Sequence, residues 1–305
     1  MKFPITSSSD PQDIRQLQQA LADRGFDIAV DGVLGPKTNE AVRSFQAVNV
    51  DQNGNPLTVD GIVGPATFAS LMATAPPAPP APSPEAGPFA GFDTSGYPGD
   101  HAMQIWKQAS PYRFVGYYLA APCHPDSGWM GKRAKLESLG WGIVVIYVGR
   151  QSEGPCKSVT PTRELGVTHG QDALQKTAVE GFEPGSIIYL DVEPMDHIPQ
   201  AQIDYVNGWL SQFSGAGFVP GIYCHIKNAN ALKGAITGFP AGQIAFWVSG
   251  SGHFNAGTSR PADSGIGFAR MWQGTFNLAK TFGDVTIEID ENVADTATPS
   301  APPAT

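Results

Sequence analysis

Eight short apolar runs recur through residues 89–293 and constrain the fold more than any other feature of the chain. Most are apolar at nearly every position, which is typical of parallel strands buried on both faces. Helical patterns lie between many of them, most clearly over Met130–Leu139, His169–Gly181 and Gln202–Phe213. This alternation predicts an α/β domain, a TIM-like (β/α)8 barrel that becomes irregular where its last helices are short or missing. The predicted strands are Phe89–Asp93, Phe114–Leu119, Gly142–Val148, Ser186–Val192, Val219–Cys224, Ile244–Val248, Gly267–Trp272 and Val285–Asp290.

Two proline-rich stretches set the domain boundaries. Residues 74–88 read T-A-P-P-A-P-P-A-P-S-P-E-A-G-P, a composition that cannot pack a core and predicts an extended spacer. Residues 294–305 return to this composition and are predicted to be a disordered tail. A small domain over residues 1–73 therefore precedes the barrel domain over residues 89–293, a division that suits a chain of 305 residues.

An internal repeat marks the small domain. V-D-G-V-L-G-P-K-T spans residues 30–38, and V-D-G-I-V-G-P-A-T spans residues 59–67. In each copy Asp-Gly predicts a turn, and Gly-Pro places proline early in the next helix. Helical segments are indicated at Ile14, Leu17 and Leu21, over Asn39–Val48, and over Ala66–Met72. The repeat therefore predicts a three-helix unit.

This pattern resembles the peptidoglycan-binding-domain-1 family over about residues 10–73. The resemblance rests on L-Q-Q-A-L-A-D-R-G-F, on the two D-G-x-x-G-P-x-T boxes, and on A-V-R-S-F-Q between them. It implies bacterial peptidoglycan as the partner, without identifying the contact residues. A three-helix spacer that binds nothing remains the alternative.

Acids and aromatics gather at the carboxyl ends of the predicted strands, where barrels of this class place their functional side chains. The acids are Asp93, Asp191, Glu193 and Asp290. The candidates for sugar binding are Tyr118, Tyr223, Trp247, Trp272 and Gln273, and Asn292 follows the last acid. Flat aromatic faces can stack on sugar rings. The alternative is that the carboxylates are structural and pair with basic residues, although few basic residues stand at the strand ends.

The pair Asp191 and Glu193 is the sharpest signal. Residues i and i+2 of a strand face the same side, so both carboxyl groups are predicted to face the barrel mouth. Neighbouring carboxylates repel, and the pKa of the more buried one is raised. A carboxylic acid that keeps its proton near neutral pH can protonate a glycosidic oxygen. Asp93 and Asp290 should be neighbours where the barrel closes, and could stabilise positive charge or orient the sugar.

Residues 90–293 resemble the family-25 glycoside hydrolase (muramidase) superfamily, and more narrowly its glycoside-hydrolase-like barrels of unassigned function. The matching stretches are G-F-D-T-S at 91–95, Y-L-D-V-E at 189–193, G-I-Y at 221–223, F-W-V at 246–248, M-W-Q at 271–273 and I-D-E-N at 289–292. The resemblance implies cleavage between N-acetylmuramic acid and N-acetylglucosamine. It makes Glu193 the general acid and Asp191 its assistant in the second step, with Asp93 and Asp290 lining the site. W-V-S-G-S-G-H after the sixth strand and the loop Leu119–Met130 depart from the family pattern and leave the glycan specificity open.

Other chemistries find little support. The net charge of -9 makes nucleic acid a poor partner. No H-E-x-x-H occurs among the six histidines, so neither a metal nor another cofactor is expected. No apolar run is long enough to span a membrane. Cys123 and Cys156 both fall in predicted loops, so a bridge between them is open, whereas Cys224 ends an apolar run and is predicted to be buried.

The N-terminal sequence M-K-F-P-I-T-S-S-S-D does not read as a secretory signal. The expectation is a monomer made in the cytoplasm that reaches the bacterial wall or periplasm by non-classical release. It would act as a phage lysin or as an exported antibacterial effector, the latter with an immunity protein as partner. Two other hypotheses stay open: a barrel that holds glycan without cutting it, and a glycosidase of another specificity.

Overall fold

The computed structural model describes residues 3–23, 26, 28–49, 51, 57–72, 87–154, 156–237, 239–250 and 252–302. The chain divides into two compact units, residues 1–85 and 86–305. Most of the predicted spacer, residues 74–86, lies outside the described residues. No described helix is long and apolar enough to cross a membrane.

The first unit contains three helices, as the repeat predicts: α1 (Pro11–Ala22), α2 (Pro36–Val48) and α3 (Pro65–Met72). Each begins with proline, whose missing N–H costs nothing in the first turn of a helix. The Asp10 side chain caps α1 by accepting a hydrogen bond from the Gln12 N–H. The apolar faces of the helices meet in one core, which includes Ile14, Leu17, Leu21, Val42, Phe45 and Leu71.

A buried glutamine closes each repeated Asp-Gly box. Gln18 of α1 donates to the Asp31 carboxylate at 2.7 Å and to the Val33 carbonyl at 3.0 Å, and it accepts from the Gly32 N–H at 2.8 Å. Gln46 of α2 makes the same three contacts with the second box, at 2.9, 2.9 and 2.8 Å. The two copies of the repeat therefore make the same hydrogen bonds, and in each copy the side-chain amide of a helix glutamine holds the Asp-Gly turn.

The second unit is a closed barrel of eight strands in chain order, which confirms the predicted closure. One apolar core fills the barrel interior, and a larger one lies between the strands and the surrounding helices. The strands are β1 (Phe89–Asp93), β2 (Phe114–Tyr118), β3 (Gly142–Val148), β4 (Ile187–Val192), β5 (Val219–His225), β6 (Ala245–Ser249), β7 (Ala269–Phe282) and β8 (Val285–Ala294). The helices are α4 (Asp100–Ala109), α5 (Arg133–Ser138), α6 (Arg163–Val179), α7 (Gln200–Leu210) and α8 (Ile226–Ala235).

The barrel loses its strand–helix alternation at its end. Where a regular repeat has a helix between β6 and β7, the described chain has a short 3₁₀ turn at Pro261–Ser264. β7 then runs well past its predicted end at Trp272 and turns straight back into β8, which pairs antiparallel with both β7 and β1. The cause is local: two residues, Gly283 and Asp284, separate the strands, and so short a connection can join only antiparallel neighbours. Gly283 takes the positive φ of 61° that such turns need.

The segment after β8 corrects the prediction of a disordered tail from residue 294. Ser300 is buried: its N–H donates to the Ile143 carbonyl, and its carbonyl and hydroxyl oxygens accept from the backbone N–H groups of Ile187 and Val145. A side chain at Gly142 would collide with the backbone of Ala297. The composition of this segment is that of a linker, and the prediction relied on composition alone. The segment is ordered because it pairs with backbone groups of β3 and of the start of β4 that would otherwise lack hydrogen-bond partners.

Candidate active site

The carboxyl ends of the parallel strands surround a cavity of roughly 100 Å³. It contains all four predicted acids and four of the five predicted binding residues. The lining side chains are Asp93, Tyr118, Ile146, Asp191, Glu193, Tyr223, Trp247, Gln273 and Asp290. Residues from all eight strands and from the segment after β4 therefore meet at one place.

Asp191 and Glu193 reach the cavity from the end of β4, as their i, i+2 spacing predicts. Asp191 is partly buried and Glu193 is exposed at the mouth. Burial and the neighbouring charges of Glu193 and Asp93 raise the pKa of Asp191 well above its ordinary value. The pKa of Glu193 is raised by burial and by the charge of Asp290. Within the described chain, the buried Oδ1 of Asp191 has no hydrogen-bond partner.

Asp93 lies on the cavity floor in a cage of donors. The Tyr118 hydroxyl donates to Oδ1 at 2.7 Å, and the side-chain amides of Gln273 and Asn292 donate to Oδ2 at 2.8 and 2.7 Å. Burial and the charge of Asp290 nevertheless raise the pKa of Asp93 to about 7, because they outweigh the three hydrogen bonds. Asp93 therefore stands near its titration midpoint at neutral pH.

Asp290 comes to the site from the middle of β8 and not from a strand end. Because β8 is antiparallel, its middle lies at the rim where the other strands finish. The backbone N–H of Asn277 donates to Asp290 at 2.7 Å, and the Gln273 amide donates at 3.2 Å. Asn277 has a φ of 51°, a conformation that few residues other than glycine adopt. Burial raises the pKa of Asp290.

Two aromatic residues orient the amides that hold Asp93. The Tyr223 hydroxyl donates to the Gln273 side-chain oxygen at 2.5 Å, and the Trp247 indole N–H donates to the Asn292 side-chain oxygen at 3.0 Å. With its oxygen engaged, each amide must turn its NH₂ group toward Asp93. Trp247 is 2% exposed, so its contribution is this hydrogen bond, whereas a sugar-stacking face would need to be open.

Trp272 does not reach the cavity. It packs in the core outside the barrel, where its indole N–H donates to the Gly250 carbonyl at 2.9 Å and its ring meets the Phe254 ring edge-on. Successive residues of a strand point to opposite faces, so Met271 and Gln273 point into the barrel and Trp272 points away. The structure therefore places Trp272, a predicted binding residue, outside the cavity, because its side chain is on the opposite face of β7 from Met271 and Gln273.

The sequence analysis did not identify three residues around the site as site residues: Asn292, Gln151 and His124. Asn292 could have been found, since it follows Asp290 at the same i, i+2 spacing. Gln151 and His124 had no such signal, because both lie in loops beyond their strands. The His124 ring stacks on Tyr118 with the ring centres 4.8 Å apart.

A disulfide joins Cys123 and Cys156, with their Cα atoms 5.8 Å apart, and this settles the pairing that the sequence left open. It links the loop that follows β2 to the loop that follows β3. The first of these loops carries His124 and the second carries Gln151. Cys224 is free and buried, as predicted.

The arrangement is suited to proton transfer. Four carboxyl groups with raised pKa values share one cavity, and the pKa of Asp93 lies at about 7, so Asp93 can gain or lose a proton near neutral pH. Among the described residues, no group of three or more His, Cys, Asp or Glu side chains is arranged to hold a metal ion.

A family model for the Rv2525c-like, glycoside hydrolase-like domain matches residues 104–294, more than half of the chain. The chain belongs to this family. A second model, for the PG_binding_1 peptidoglycan-binding domain, matches residues 10–71. Both resemblances drawn from the sequence are confirmed: residues 10–71 match the PG_binding_1 model, and residues 104–294 match the Rv2525c-like model. No curated protein matches the chain at a significant level.

Several solved structures are similar to the Rv2525c-like domain. An uncharacterised protein of B. stearothermophilus is 16% identical, with a TM-score of 0.48 over 68% of this chain and 95% of the other. The catalytic domain of endolysin ply40, from bacteriophage P40 of Listeria monocytogenes, is 14% identical, with a TM-score of 0.46 over 68% and 93%. The Tat-secreted protein Rv2525c of Mycobacterium tuberculosis, in complex with HEPES, is 17% identical, with a TM-score of 0.44 over 68% and 96%.

Proposed function

We propose that this protein is a peptidoglycan hydrolase of the muramidase type, which cuts between N-acetylmuramic acid and N-acetylglucosamine. The observation that carries the proposal is the acid-lined cavity at the mouth of a glycoside hydrolase-like barrel, with Glu193 at its opening. The peptidoglycan-binding domain on the same chain supports the choice of polymer.

Glu193 is the proposed general acid. Glu193 is an exposed residue at the cavity mouth, so its carboxyl group can reach a glycosidic oxygen. Partial burial of that group raises its pKa, which favours the protonated form that this role needs. Asp191 lies deeper and is proposed to assist the second step; its buried Oδ1 has no hydrogen-bond partner among the described residues. Asp93 and Asp290 supply negative charge beneath the developing oxocarbenium ion.

The first unit is the proposed wall anchor. Holding the polymer on one domain raises the effective concentration of glycan at the barrel, without any change in the barrel itself. Losing this unit should therefore slow the digestion of insoluble wall far more than the digestion of a soluble glycan.

The bacterial wall or periplasm is the proposed place of action, reached as a phage lysin or as an exported effector. The disulfide between Cys123 and Cys156 supports a site outside the reducing cytoplasm, because such bridges persist in oxidising compartments. An effector of this kind would have an immunity protein as a partner in its producing cell.

The test is digestion of purified peptidoglycan by the wild type and by Glu193→Gln, followed by mass spectrometry of the reduced products. Fragments with a reducing muramic-acid end, formed about 10²–10⁴ times more slowly by the variant, would support the proposal. Glu153→Gln, the same change on an exposed loop residue, is the matched control and should leave the rate unaltered. If the wild type pellets with several kinds of wall and releases no fragment, the enzyme proposal fails and the alternative, a barrel that binds glycan without cutting it, takes its place.

A further inference from the structure

β4 outruns its neighbour β3 at the point where the two central carboxyl groups emerge. The last paired residues of these strands are Val148 and Asp191. On its other edge β4 stays paired one residue longer, through Val192 and Cys224. The backbone of Asp191 and Glu193 on the β3 side therefore needs hydrogen-bond partners that no strand supplies.

The side chain of Gln151 supplies them. Its amide NH₂ donates to the Asp191 carbonyl at 2.8 Å, and its oxygen accepts from the Glu193 N–H at 3.1 Å. These are the two groups that a residue opposite Val192 would bond in a parallel ladder. Gln151 is 2% exposed, so its amide acts as one further rung of the β3–β4 ladder, shielded from water.

A second buried amide holds the chain just beyond Glu193. Asn228 of α8 accepts from the Met195 N–H at 3.1 Å and donates to the Met195 carbonyl at 2.9 Å. Asn228 is also buried. Pro194, between the two clamped residues, has a fixed φ and no N–H to pair. The backbone of Glu193 is thus held from both sides within a span of five residues.

The loop that carries Gln151 is itself fixed. The Arg150 N–H donates to the Tyr205 hydroxyl at 3.1 Å, and the Gln202 amide donates to the Arg150 carbonyl at 3.1 Å. Gln202 also accepts from the Ser152 hydroxyl at 2.9 Å. A side chain that sets the position of a neighbour must be held in this way by its own surroundings.

We propose that Gln151 and Asn228 are positioning residues, two amide clamps that fix where the Glu193 carboxyl group stands at the mouth of the cavity. The effect on catalysis rests on the proposed function, but the effect on the Glu193 carboxyl group itself does not. Without a clamp, the carboxyl group can move from the cavity into water, away from the burial and the Asp290 charge that raise its pKa.

The experiment compares Gln151→Met and Asn228→Leu, which keep side-chain size and remove the amide, in the full-length protein. Asn207→Leu is the matched control. Asn207 is 4% exposed and bridges the Ala235 carbonyl and the Thr237 N–H, two backbone groups that lie outside the site. For each protein we would measure the melting temperature, the pKa of Glu193 by carbon-13 NMR, and kcat and KM on a soluble glycan. The Glu193 signal is assigned by its absence from Glu193→Gln.

Both clamp variants should lower the pKa of Glu193 toward its ordinary value and lower kcat by about 100-fold, the scale of loss from misplacing a catalytic group by about 1 Å. KM should change much less, because the substrate contacts remain. Asn207→Leu should cost similar stability and leave the pKa and kcat unchanged. Folded clamp variants with wild-type pKa and kcat would overturn the proposal, and either clamp tests it if the other variant fails to fold. If the wild type cuts no glycan, the proposed function fails and the NMR comparison still decides on the clamps.

Discussion

Asp93 on β1 and Asp290 on β8 occupy directly opposed positions of an antiparallel pair. Side chains in such positions start from Cβ atoms about 5 Å apart, so two ionised acids there repel each other. The repulsion adds to burial and helps to bring the pKa of Asp93 to about 7. A pair that costs stability when ionised is a feature to expect at a functional site.

The titration of Asp93 should make the stability of the protein depend on pH. Its pKa rises from 3.8 in the unfolded chain to about 7 in the folded protein, so its stabilising effect is complete below pH 3.8 and is lost as the pH rises through 7. Asp93→Asn removes this titration. It can keep an oxygen toward Gln273 and Asn292 and turn its NH₂ group toward the Tyr118 hydroxyl. The melting temperature of the variant, relative to the wild type, should therefore increase between pH 4 and pH 7.

Thermal denaturation across that range measures the effect, which should be of the order of a few kcal/mol. Asp284→Asn, in the turn between β7 and β8, is the control for removing one negative charge. A constant difference between Asp93→Asn and the wild type from pH 4 to pH 7 would contradict the assignment.

The sequence predicted the barrel and its acids because both leave periodic signals. Buried strands give apolar runs, and the i, i+2 rule put Asp191 and Glu193 on one face. The direction of β8 depends on a two-residue turn at Gly283, which apolar runs do not reveal. Trp272 was misplaced because the strand boundary did not fix its parity. The clamp role of Gln151 could not be predicted, because a loop residue belongs to no periodic pattern and its role depends on which strand lies beside it in space.

Trp247 and Trp272 should separate function from stability. Trp247→Phe removes the donor that orients Asn292 toward Asp93, so kcat on a soluble glycan should fall along with stability. Trp272→Phe removes a hydrogen bond to the Gly250 carbonyl outside the cavity, so stability should fall and kcat should not. Each lost bond leaves a buried acceptor, at a cost of about 1–3 kcal/mol. Equal losses of kcat in the two variants would show that Trp247 has no special connection to the site.

The disulfide should stabilise the barrel substantially. Its cysteines are 33 residues apart, a loop length for which chain entropy predicts about 3–4 kcal/mol. The double variant Cys123→Ser, Cys156→Ser should melt at a lower temperature than the wild type, as should the wild type in reductant. Reductant should not affect the double variant, whose remaining cysteine, Cys224, is free. A wild type whose melting temperature is insensitive to full reduction would contradict this prediction.

Gln18 and Gln46, the two buried glutamines of the first unit, should differ in how far each lowers the pKa of the aspartate that it binds. The pKa of Asp31 is lowered chiefly by the Gln18 amide, whereas that of Asp60 is lowered first by the Ile62 N–H and then by Gln46. Gln18→Leu should therefore raise the pKa of Asp31 more than Gln46→Leu raises that of Asp60. Carbon-13 NMR titration of the full-length variants measures both shifts.

The lowered pKa values stabilise the fold above the ordinary aspartate value of 3.8, and this stability is lost as the pH falls through the folded value. Each glutamine variant should therefore lose less stability than the wild type on acidification below pH 4. Equal shifts at the two aspartates would contradict the predicted difference, and no shift at either would mean that the backbone of each turn, and not the glutamine, sets the pKa.

The segment after β8 should stabilise the barrel. Deleting residues 298–305 removes Ser300 and leaves the N–H groups of Val145 and Ile187 without their partners. Each buried group left unpaired costs about 1–3 kcal/mol, and about 1 kcal/mol lowers the melting temperature of a domain of this size by about 2–4 °C. The melting temperature should therefore fall by several degrees. The value of kcat on a soluble glycan, measured well below the melting temperature, should stay close to that of the wild type, because the hydrogen-bond partners of Ser300 (Ile143, Val145 and Ile187) do not line the cavity. Deleting residues 303–305 alone keeps Ser300 and is the matched control, so equal stability in the two truncated proteins would contradict this role of the segment.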